Sequence, residues 1–109
     1  MQYRHLGNSN LQVSTLCLGT MMFGDQTDRD EAARIVVDAR AQGVNYIDTA
    51  DVYTKGASET MVGELLKGQR HDWVLATKLG NRMSERPNEG HYSRAWMLHE
   101  VAASLARLQ

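Results

Sequence analysis

Asp48, Tyr53 and Lys78 have side chains that could act together in proton transfer. Lys78 ends the apolar run 73–78, and Asp48 ends the matching run 44–48 one unit earlier. A lysine that leaves an apolar strand loses hydration unless a carboxylate compensates for it, so Asp48 is its natural partner. Tyr53 follows Asp48 in the next connecting segment. The three side chains are therefore candidates for one site.

A tyrosine phenol titrates near pH 10, so it is a weak acid at neutral pH unless a cation stabilises its phenolate. A unit charge about 4 Å away, at an effective dielectric constant near 20, contributes roughly 4 kcal/mol. We expect Lys78 to be this cation and Tyr53 to protonate a carbonyl oxygen while a reduced nicotinamide gives hydride to the carbon. Taken singly, each residue also has an ordinary interpretation as a loop acid, a half-exposed aromatic residue or a solvated strand end.

Three short apolar runs, at positions 15–19, 44–48 and 73–78, predict β-strands. Each run has β-branched or aromatic members and is flanked by glycine or polar residues, as is typical of strands covered on both faces. Their ends recur about every thirty residues, which is the length of a βα unit. The sequence therefore predicts parallel strands joined by helices.

Helices are predicted after each of these strands. Asp28 and Glu31 predict a capping box at the start of the first helix, and Gly43 predicts its end. Ser58 is predicted to cap the second helix and Ser93 the third. The apolar faces expected to be buried are Ala32, Ile35, Val36 and Ala39 in the first helix; Val62, Leu65 and Leu66 in the second; and Leu98, Val101, Ala102, Leu105 and Leu108 in the third.

Two further segments have distinct patterns. Segments 3–6 and 11–14 flank the turn-forming sequence GNSN and predict a short β-hairpin. Segment 80–92 has no periodicity and is long for a βα connection. Such a loop is more typical of function than of a simple connection.

The fold class predicted is α/β, as the N-terminal portion of a (β/α)8 TIM barrel that forms part of one domain over residues 1–109. Right-handed crossovers place the three helices on one side of the sheet if the units are added in order. Because the strands look buried on both sides, the other face needs closure, and a barrel turns that face inward. Functional residues of such barrels lie at the carboxyl ends of the strands, where Asp48 and Lys78 are predicted.

The alternative architecture is a doubly wound sheet, as in nucleotide-binding folds. The segment GTMMFG at 19–24 lacks the G-x-G-x-x-G spacing that brings backbone close to a pyrophosphate. Asp25 and Gln26 stand where a P-loop has Lys and Ser or Thr, and a carboxylate there repels phosphate. The sequence therefore favours the barrel, with the open sheet as the alternative.

Composition argues against several classes of partner. A formal net charge of −1 and scattered basic residues leave no surplus for a nucleic acid backbone. No apolar stretch has the length of a membrane span or the pattern of a signal peptide, so a cytoplasmic protein is expected. Cys17 cannot form an internal disulfide and is interpreted as a small buried hydrophobic residue. The four histidines lack ligand spacing with other His, Cys or acidic residues, so no metal site is predicted.

The sequence resembles the aldo-keto reductase family over essentially its whole length. The blocks that carry the resemblance are YRHLGNSNL (3–11), LGTM (18–21), YIDTADVY (46–53), SE (58–59), ATK (76–78) and SLARL (104–108). The resemblance implies that Asp48, Tyr53 and Lys78 are catalytic, with Tyr53 the proton donor. It also implies that Thr20, Met21 and Asp48 line a nicotinamide pocket, that the cofactor is NADPH more often than NADH, and that the substrate is a small carbonyl compound.

The sequence departs from the family pattern in two places. The family has a catalytic His at the end of the fourth strand, and His5, His71, His91 and His99 do not occupy that position. Thr54–Lys55 follow Tyr53 where a glycine is common, which bears on the shape of this loop and on substrate fit. We therefore expect an enzyme whose remaining barrel lies outside this chain, and we expect residues 1–109 alone to be inactive. Some relatives act as subunits of ion channels, so a non-catalytic interaction module is the alternative.

An incomplete barrel has a further expected consequence. A sheet of three parallel strands with one bare face exposes apolar surface. We therefore expect residues 1–109 alone to be poorly stable and to self-associate.

Overall fold

Five strands form two separate sheets in the computed structural model, which describes all of residues 1–109. An antiparallel hairpin pairs β1 (Tyr3–His5) with β2 (Gln12–Ser14), as predicted. A parallel sheet has the order β3 (Leu18–Gly19), β4 (Tyr46–Asp48) and β5 (Val74–Ala76). The predicted strands are therefore present, and each is shorter than its apolar run.

Helices alternate with the parallel strands. Their bounds are α1, Arg29–Ala41; α2, Ala57–Leu65; and α3, Arg94–Leu108. Short 3₁₀ turns lie at Tyr53–Gly56, before α2, and at Arg70–Asp72, before β5. Residues 80–92 form turns and bends without a helix or strand. None of the three helices has the combination of length and apolarity that a membrane span requires.

Hydrogen bonds tie the hairpin to the amino-terminal end of β4. The Tyr3 hydroxyl donates to the carbonyl oxygen of Gly43 at 2.8 Å. The Asn45 side-chain oxygen accepts from the Ser14 backbone N–H at 2.7 Å, and its amide nitrogen donates to the carbonyl oxygen of Gln12 at 3.0 Å. The hairpin therefore lies at the end of the sheet opposite to the carboxyl ends of the strands.

Two of the three predicted helix caps are confirmed. Asp28 accepts from the Glu31 N–H at 2.9 Å and Ser93 accepts from the Trp96 N–H at 3.1 Å. The reciprocal half of the capping box is absent, because the Glu31 carboxylate pairs with Arg34. The prediction for Ser58 is wrong. α2 begins after Gly56, which has a φ of +91°, and Ser58 is a buried residue within its first turn.

The core lies on one side of the parallel sheet, between the strands and the helices. Its buried members are Phe23, Ala32, Val36, Ile47, Val62, Leu66, Trp73 and Leu108. The predicted faces of α1 and α2 therefore contribute to the core. Ile47 is the only strand residue of the parallel sheet that is fully buried. The other residues of these strands are half-buried or exposed, because the helices pack on one face of the sheet only, as expected for three units of a barrel.

The predicted buried face of α3 is confirmed at Leu108, which joins the core, but not at its other members. Leu98, Val101 and Leu105 are 56%, 46% and 68% exposed, and Ala102 is exposed as well. The buried residues of α3 are Trp96, Glu100, Ser104 and Leu108. The side of α3 that packs on α2 also carries an ion pair, between Arg107 of α3 and the fully buried Glu59 of α2. A Cβ atom at Gly63 would lie 2.4 Å from the Arg107 carbonyl oxygen, so only glycine permits this close approach of α2 and α3.

We expect residues 1–109, prepared alone, to form oligomers whose fraction rises with concentration in sedimentation velocity. The bare sheet face and the apolar row Leu98, Val101 and Leu105 would be exposed in the isolated polypeptide. Leu105→Glu should lower the oligomer fraction, whereas Val37→Glu should not, because Val37 is an equally exposed residue on α1. A monomer at every concentration would contradict the expectation.

Candidate active site

The predicted pairing of Lys78 with Asp48 is present at the carboxyl ends of β4 and β5. The Lys78 ammonium donates to Asp48 Oδ2 at 2.6 Å and to the carbonyl oxygen of Thr49 at 2.7 Å. Asp48 is the last residue of β4, and Lys78 follows the end of β5 by two residues. The parallel register brings these strand ends to one edge, so residues thirty positions apart meet.

Tyr53 completes the cluster. It begins the 3₁₀ turn Tyr53–Gly56 that leads into α2, and its side chain is half-buried. The Lys78 ammonium lies 5.0 Å from the centroid of the Tyr53 ring. All three predicted catalytic residues are therefore within reach of one another at the same edge of the sheet.

The surroundings of Lys78 keep its ammonium group protonated. Partial burial acts to lower the pKa of Lys78, but its interactions with Asp48 and Tyr53 outweigh burial, and the net pKa is raised above the usual value. A lysine with a raised pKa is charged throughout the neutral range. A permanent cation therefore stands beside the Tyr53 phenol.

A cavity of about 420 Å³ opens next to this cluster. Its lining includes the predicted cofactor residues Thr20, Met21 and Asp48, together with Tyr53. A Cβ atom at Gly19, which also lines the cavity, would meet no atom within 4 Å, so open space lies against the end of β3. The remaining lining residues are Leu18, Met22, Phe23, Thr27 and Ile35, most of them apolar. A mostly apolar wall with a few polar groups suits a planar, weakly polar ring.

A buried hydroxyl network behind the cavity was missed by the sequence analysis. Ser58 Oγ donates to the carbonyl oxygen of Thr20 at 2.7 Å, and it lies 3.1 Å from Thr20 Oγ1 and 3.2 Å from Thr49 Oγ1. Thr20 Oγ1 in turn donates to the carbonyl oxygen of Asp48 at 3.2 Å. The sequence has a threonine directly after β3 and another directly after β4, which could have indicated this network. Ser58 was instead interpreted as a helix cap, so the three hydroxyls were not considered together.

The loop after Tyr53 has an unusual backbone conformation. Thr54 and Lys55 have φ values of +49° and +53°, and Gly56 follows with +91°. The left-handed region is unfavourable for residues with a Cβ atom, above all for β-branched ones such as threonine. Thr54 and Lys55, which depart from the family pattern, therefore lie where the backbone favours glycine. The sharp turn at these two residues determines the direction in which the chain leaves Tyr53.

Cys17 is exposed, so its interpretation as a buried residue is wrong. The physical reason is that it precedes the paired residues of β3, in a segment, 15–17, whose residues are all exposed. Partial desolvation and the nearby Asp48 carboxylate raise the pKa of the Cys17 thiol, and Lys78 acts in the opposite direction. A raised pKa keeps the thiol protonated at neutral pH, which disfavours a role as a nucleophile.

Three acidic residues near the strand ends are buried, and one arginine pairs with two of them. Glu59 is 0%, Asp51 1% and Glu100 3% exposed. Arg107 Nε lies 2.6 Å from Glu59 Oε2, and its Nη2 pairs with Glu100. Partial burial acts to lower the pKa of Arg107, but Glu100 and Glu59 outweigh it and the net pKa is raised. The arginine therefore compensates two of the three carboxylates.

Asp51 is the third acid, and neither of its carboxylate oxygens has a hydrogen-bond partner. Burial is the main cause that raises the pKa of Asp51, and repulsion by Glu100 and Glu59 adds to it. A carboxyl group whose pKa is raised by folding contributes stability below its unfolded pKa, and this contribution is lost as the pH rises through the folded pKa. Ionised Asp51 is therefore unfavourable at neutral pH.

Asp51→Asn should raise the melting temperature of the protein at pH 7 and have a smaller effect near pH 4. The amide carries no charge, so it avoids the desolvation and repulsion that Asp51 experiences when ionised. Differential scanning calorimetry at both pH values measures the difference. A melting temperature that falls at pH 7, or a gain that is larger at pH 4, would contradict the interpretation.

Fold and site together define a class of protein. Parallel strands joined by helices, with a Lys–Asp–Tyr cluster at their carboxyl ends, are features of an α/β barrel whose site lies at the rim formed by those ends. The match of the family model for the aldo/keto reductase family to residues 15–109 is consistent with this class. The chain belongs to the aldo/keto reductase family.

Individual relatives agree with this assignment. The chain is 42% identical over 112 residues to an uncharacterized oxidoreductase, YqkF, of Bacillus subtilis, and the match covers 100% of the chain and 36% of that protein. It is 40% identical over 114 residues to a protein of Arabidopsis thaliana described as a probable voltage-gated potassium channel subunit beta. That match covers 99% of the chain and 34% of the Arabidopsis protein.

The structure superimposes on that of an aldo-keto reductase from Bacillus halodurans in its holo form. The TM-score is 0.85 at 46% identity, and the match covers 100% of the chain and 37% of that protein. The chain thus spans little more than a third of the length of these relatives. Its fold is the N-terminal portion of a (β/α)8 barrel, as predicted, and the open doubly wound sheet is wrong.

Proposed function

We propose that the protein reduces aldehydes or ketones to alcohols with NADPH, and that Tyr53 is the proton donor. The observation that carries this proposal is the Lys78 ammonium, held 2.6 Å from Asp48 Oδ2 and 5.0 Å from the centroid of the Tyr53 ring. Membership of a family of oxidoreductases supports it. The activity belongs to the whole protein, because the chain spans about 36% of a related oxidoreductase.

Each of the three residues has a distinct role in this proposal. Tyr53 gives its phenolic proton to the carbonyl oxygen of the substrate, which leaves a phenolate. The ammonium of Lys78 stabilises that phenolate, and a unit charge a few ångströms away contributes about 3–4 kcal/mol at an effective dielectric constant near 20. Asp48 and the carbonyl oxygen of Thr49 hold the ammonium in place. The alcohol product forms when hydride reaches the carbonyl carbon.

The chain contributes the nicotinamide end of the cofactor site in this proposal. The reduced nicotinamide, when bound, supplies the hydride. Met21 presents an exposed thioether to the cavity, and Thr20 and Asp48 form its polar wall. Apolar side chains around the cavity, including Met22 and Phe23, would exclude water from the reacting carbonyl. We propose NADPH as the cofactor on the strength of the family resemblance.

Carbonyl-dependent oxidation of NADPH by the natively expressed protein tests the proposed function. The loss of NADPH absorbance is followed with a panel of small aldehydes and ketones, and each alcohol product is identified by mass spectrometry. We expect turnover with at least one of these carbonyl classes, and a lower rate with NADH. A natively expressed protein that binds NADPH but reduces no carbonyl would overturn the proposal.

The second candidate function is that of a regulatory subunit without turnover. The observation in its favour is the 40% identity to a probable potassium channel subunit beta. This candidate would be favoured if the protein binds the cofactor without turnover and co-purifies with a membrane protein. The co-purification should then persist in the Tyr53→Phe variant. Loss of carbonyl reduction in that variant favours the enzyme.

A further inference from the structure

The residue next to Lys78 is held by a buried carboxylate on another element. Thr77 Oγ1 donates to Glu59 Oε1 at 2.6 Å, and Glu59 lies in the first turn of α2. Glu59 is fully buried, and its second oxygen accepts from Arg107 Nε at 2.6 Å. The chain Arg107, Glu59 and Thr77 therefore links α3 and α2 to the carboxyl end of β5.

This link contacts the chain just beyond the end of β5, where strand pairing no longer holds the backbone. β5 ends at Ala76, so Thr77 and Lys78 lie beyond its paired residues. The loop after β4 gives one anchor, since the Asp51 N–H donates to the carbonyl oxygen of Lys78 at 3.0 Å. The Thr77 hydroxyl provides a second anchor, on the side of the helices. Its acceptor is a charged carboxylate paired with an arginine, and such hydrogen bonds are about twice as strong as neutral ones.

Glu59 binds a different partner with each of its carboxylate oxygens. Oε2 accepts from Arg107, and Oε1 accepts from the Thr77 hydroxyl beside Lys78, so one carboxylate joins the ion pair to the residue before Lys78. The Lys78 ammonium must lie within about an ångström of its productive position, because misplacement by that distance can reduce a rate about 10²-fold. The anchor of Thr77 therefore bears directly on the reaction.

We propose that Glu59, acting through the Thr77 hydroxyl, is a positioning residue that holds the Lys78 ammonium between Asp48 and Tyr53. The proposal rests on the proposed function, because it gives a role to the same site. Glu59 touches neither substrate nor cofactor, and its effect passes through the backbone of residues 77–78.

Thr77→Val tests the proposal in the natively expressed protein, because valine keeps the shape of threonine and removes the hydroxyl. We expect kcat to fall about 10-fold with KM for the carbonyl changed less than twofold, since one supporting hydrogen bond is worth about 1 to 1.5 kcal/mol. Thr77→Ser should restore kcat. Glu59→Gln should lower kcat in the wild-type background and add no further loss to Thr77→Val.

Thr60→Val is the matched control. Thr60 lies beside Glu59 on α2, and its hydroxyl donates to the carbonyl oxygen of Gly56 at 3.1 Å, within its own helix turn. This variant should keep the wild-type kcat. If a folded Thr77→Val protein keeps wild-type kcat, or if Thr77→Ser fails to restore it, the positioning role is overturned.

A second readout does not depend on turnover. The titration of Lys78, followed by the ¹³C shift of its Cε atom, reports whether the ammonium keeps its contacts with Asp48 and Tyr53. The pKa of Lys78 should be raised in the wild type and in Thr60→Val, and lower in Thr77→Val. An inactive wild-type protein that shows this pattern would contradict the proposed function and support the positioning role. If the pKa of Lys78 is the same in Thr77→Val as in the wild type, the positioning role is overturned.

Discussion

Arg107→Met should lower the free energy of unfolding by about 3–5 kcal/mol, because breaking a buried ion pair leaves its partners charged and uncompensated. Arg107 is the one cation that contacts both Glu59 and Glu100, which are buried between α2 and α3. Methionine keeps the length and apolar stem of the side chain but supplies no donors. Urea denaturation of wild type and variant measures the difference.

Arg34→Met is the matched control for this prediction. Arg34 pairs with Glu31 on the surface of α1, where both side chains are well exposed. Exposed ion pairs contribute little to stability because water and salt screen them, so this variant should unfold close to the wild type. Glu59→Gln and Glu100→Gln, introduced together with Arg107→Met, should recover part of the loss because they remove the uncompensated charges. Equal effects of Arg107→Met and Arg34→Met would show that the buried cluster does not hold the helices together.

Tyr53→Phe should reduce kcat for carbonyl reduction about 10²- to 10⁴-fold, which is the usual contribution of a general acid. Phenylalanine keeps the ring that faces Lys78 and removes only the proton donor. The dissociation constant for NADPH should therefore change little, as measured by fluorescence titration. Stopped-flow measurement of a single turnover with saturating NADPH isolates the chemical step from product release.

Tyr92→Phe controls for the loss of a phenol elsewhere in the chain. Tyr92 is 71% exposed and lies at the end of the 80–92 loop. Its substitution should leave kcat unchanged. A Tyr53→Phe protein that reduces carbonyls at the wild-type rate would remove Tyr53 from the mechanism.

The pairing of Asp48 with Lys78 could be predicted from the sequence because it depends on short patterns. Apolar runs ending at Asp48 and Lys78, one βα unit apart, place both residues at the same edge of a parallel sheet. The caps Asp28 and Ser93 are equally local, since each acts on a backbone N–H three residues later. Such features need no knowledge of distant contacts.

The orientation of α3 could not be predicted in this way. Its apolar residues Leu98, Val101 and Leu105 form a regular stripe, which indicates a buried face when considered alone. In the structure these three residues are exposed, and the side of α3 that packs on α2 carries Arg107, which pairs with Glu59, a residue 48 positions away. A polar partner at such a distance leaves no periodic signal. The burial of Ser58 was missed for a similar reason. Its hydrogen-bond partners are on Thr20, 38 positions away, whereas the local pattern of serine before glutamate also fits a helix cap.

The double variant Tyr53→Phe/Lys78→Met tests most directly whether Lys78 works through the Tyr53 phenol. Single-turnover rates are compared for the wild type, both single variants and the double variant. Residues that act as a unit have non-additive effects, so we predict that Lys78→Met slows the wild type at least 10-fold, yet slows Tyr53→Phe by less than about threefold. Losses that multiply in the double variant, or an unchanged rate in Lys78→Met alone, would contradict the account.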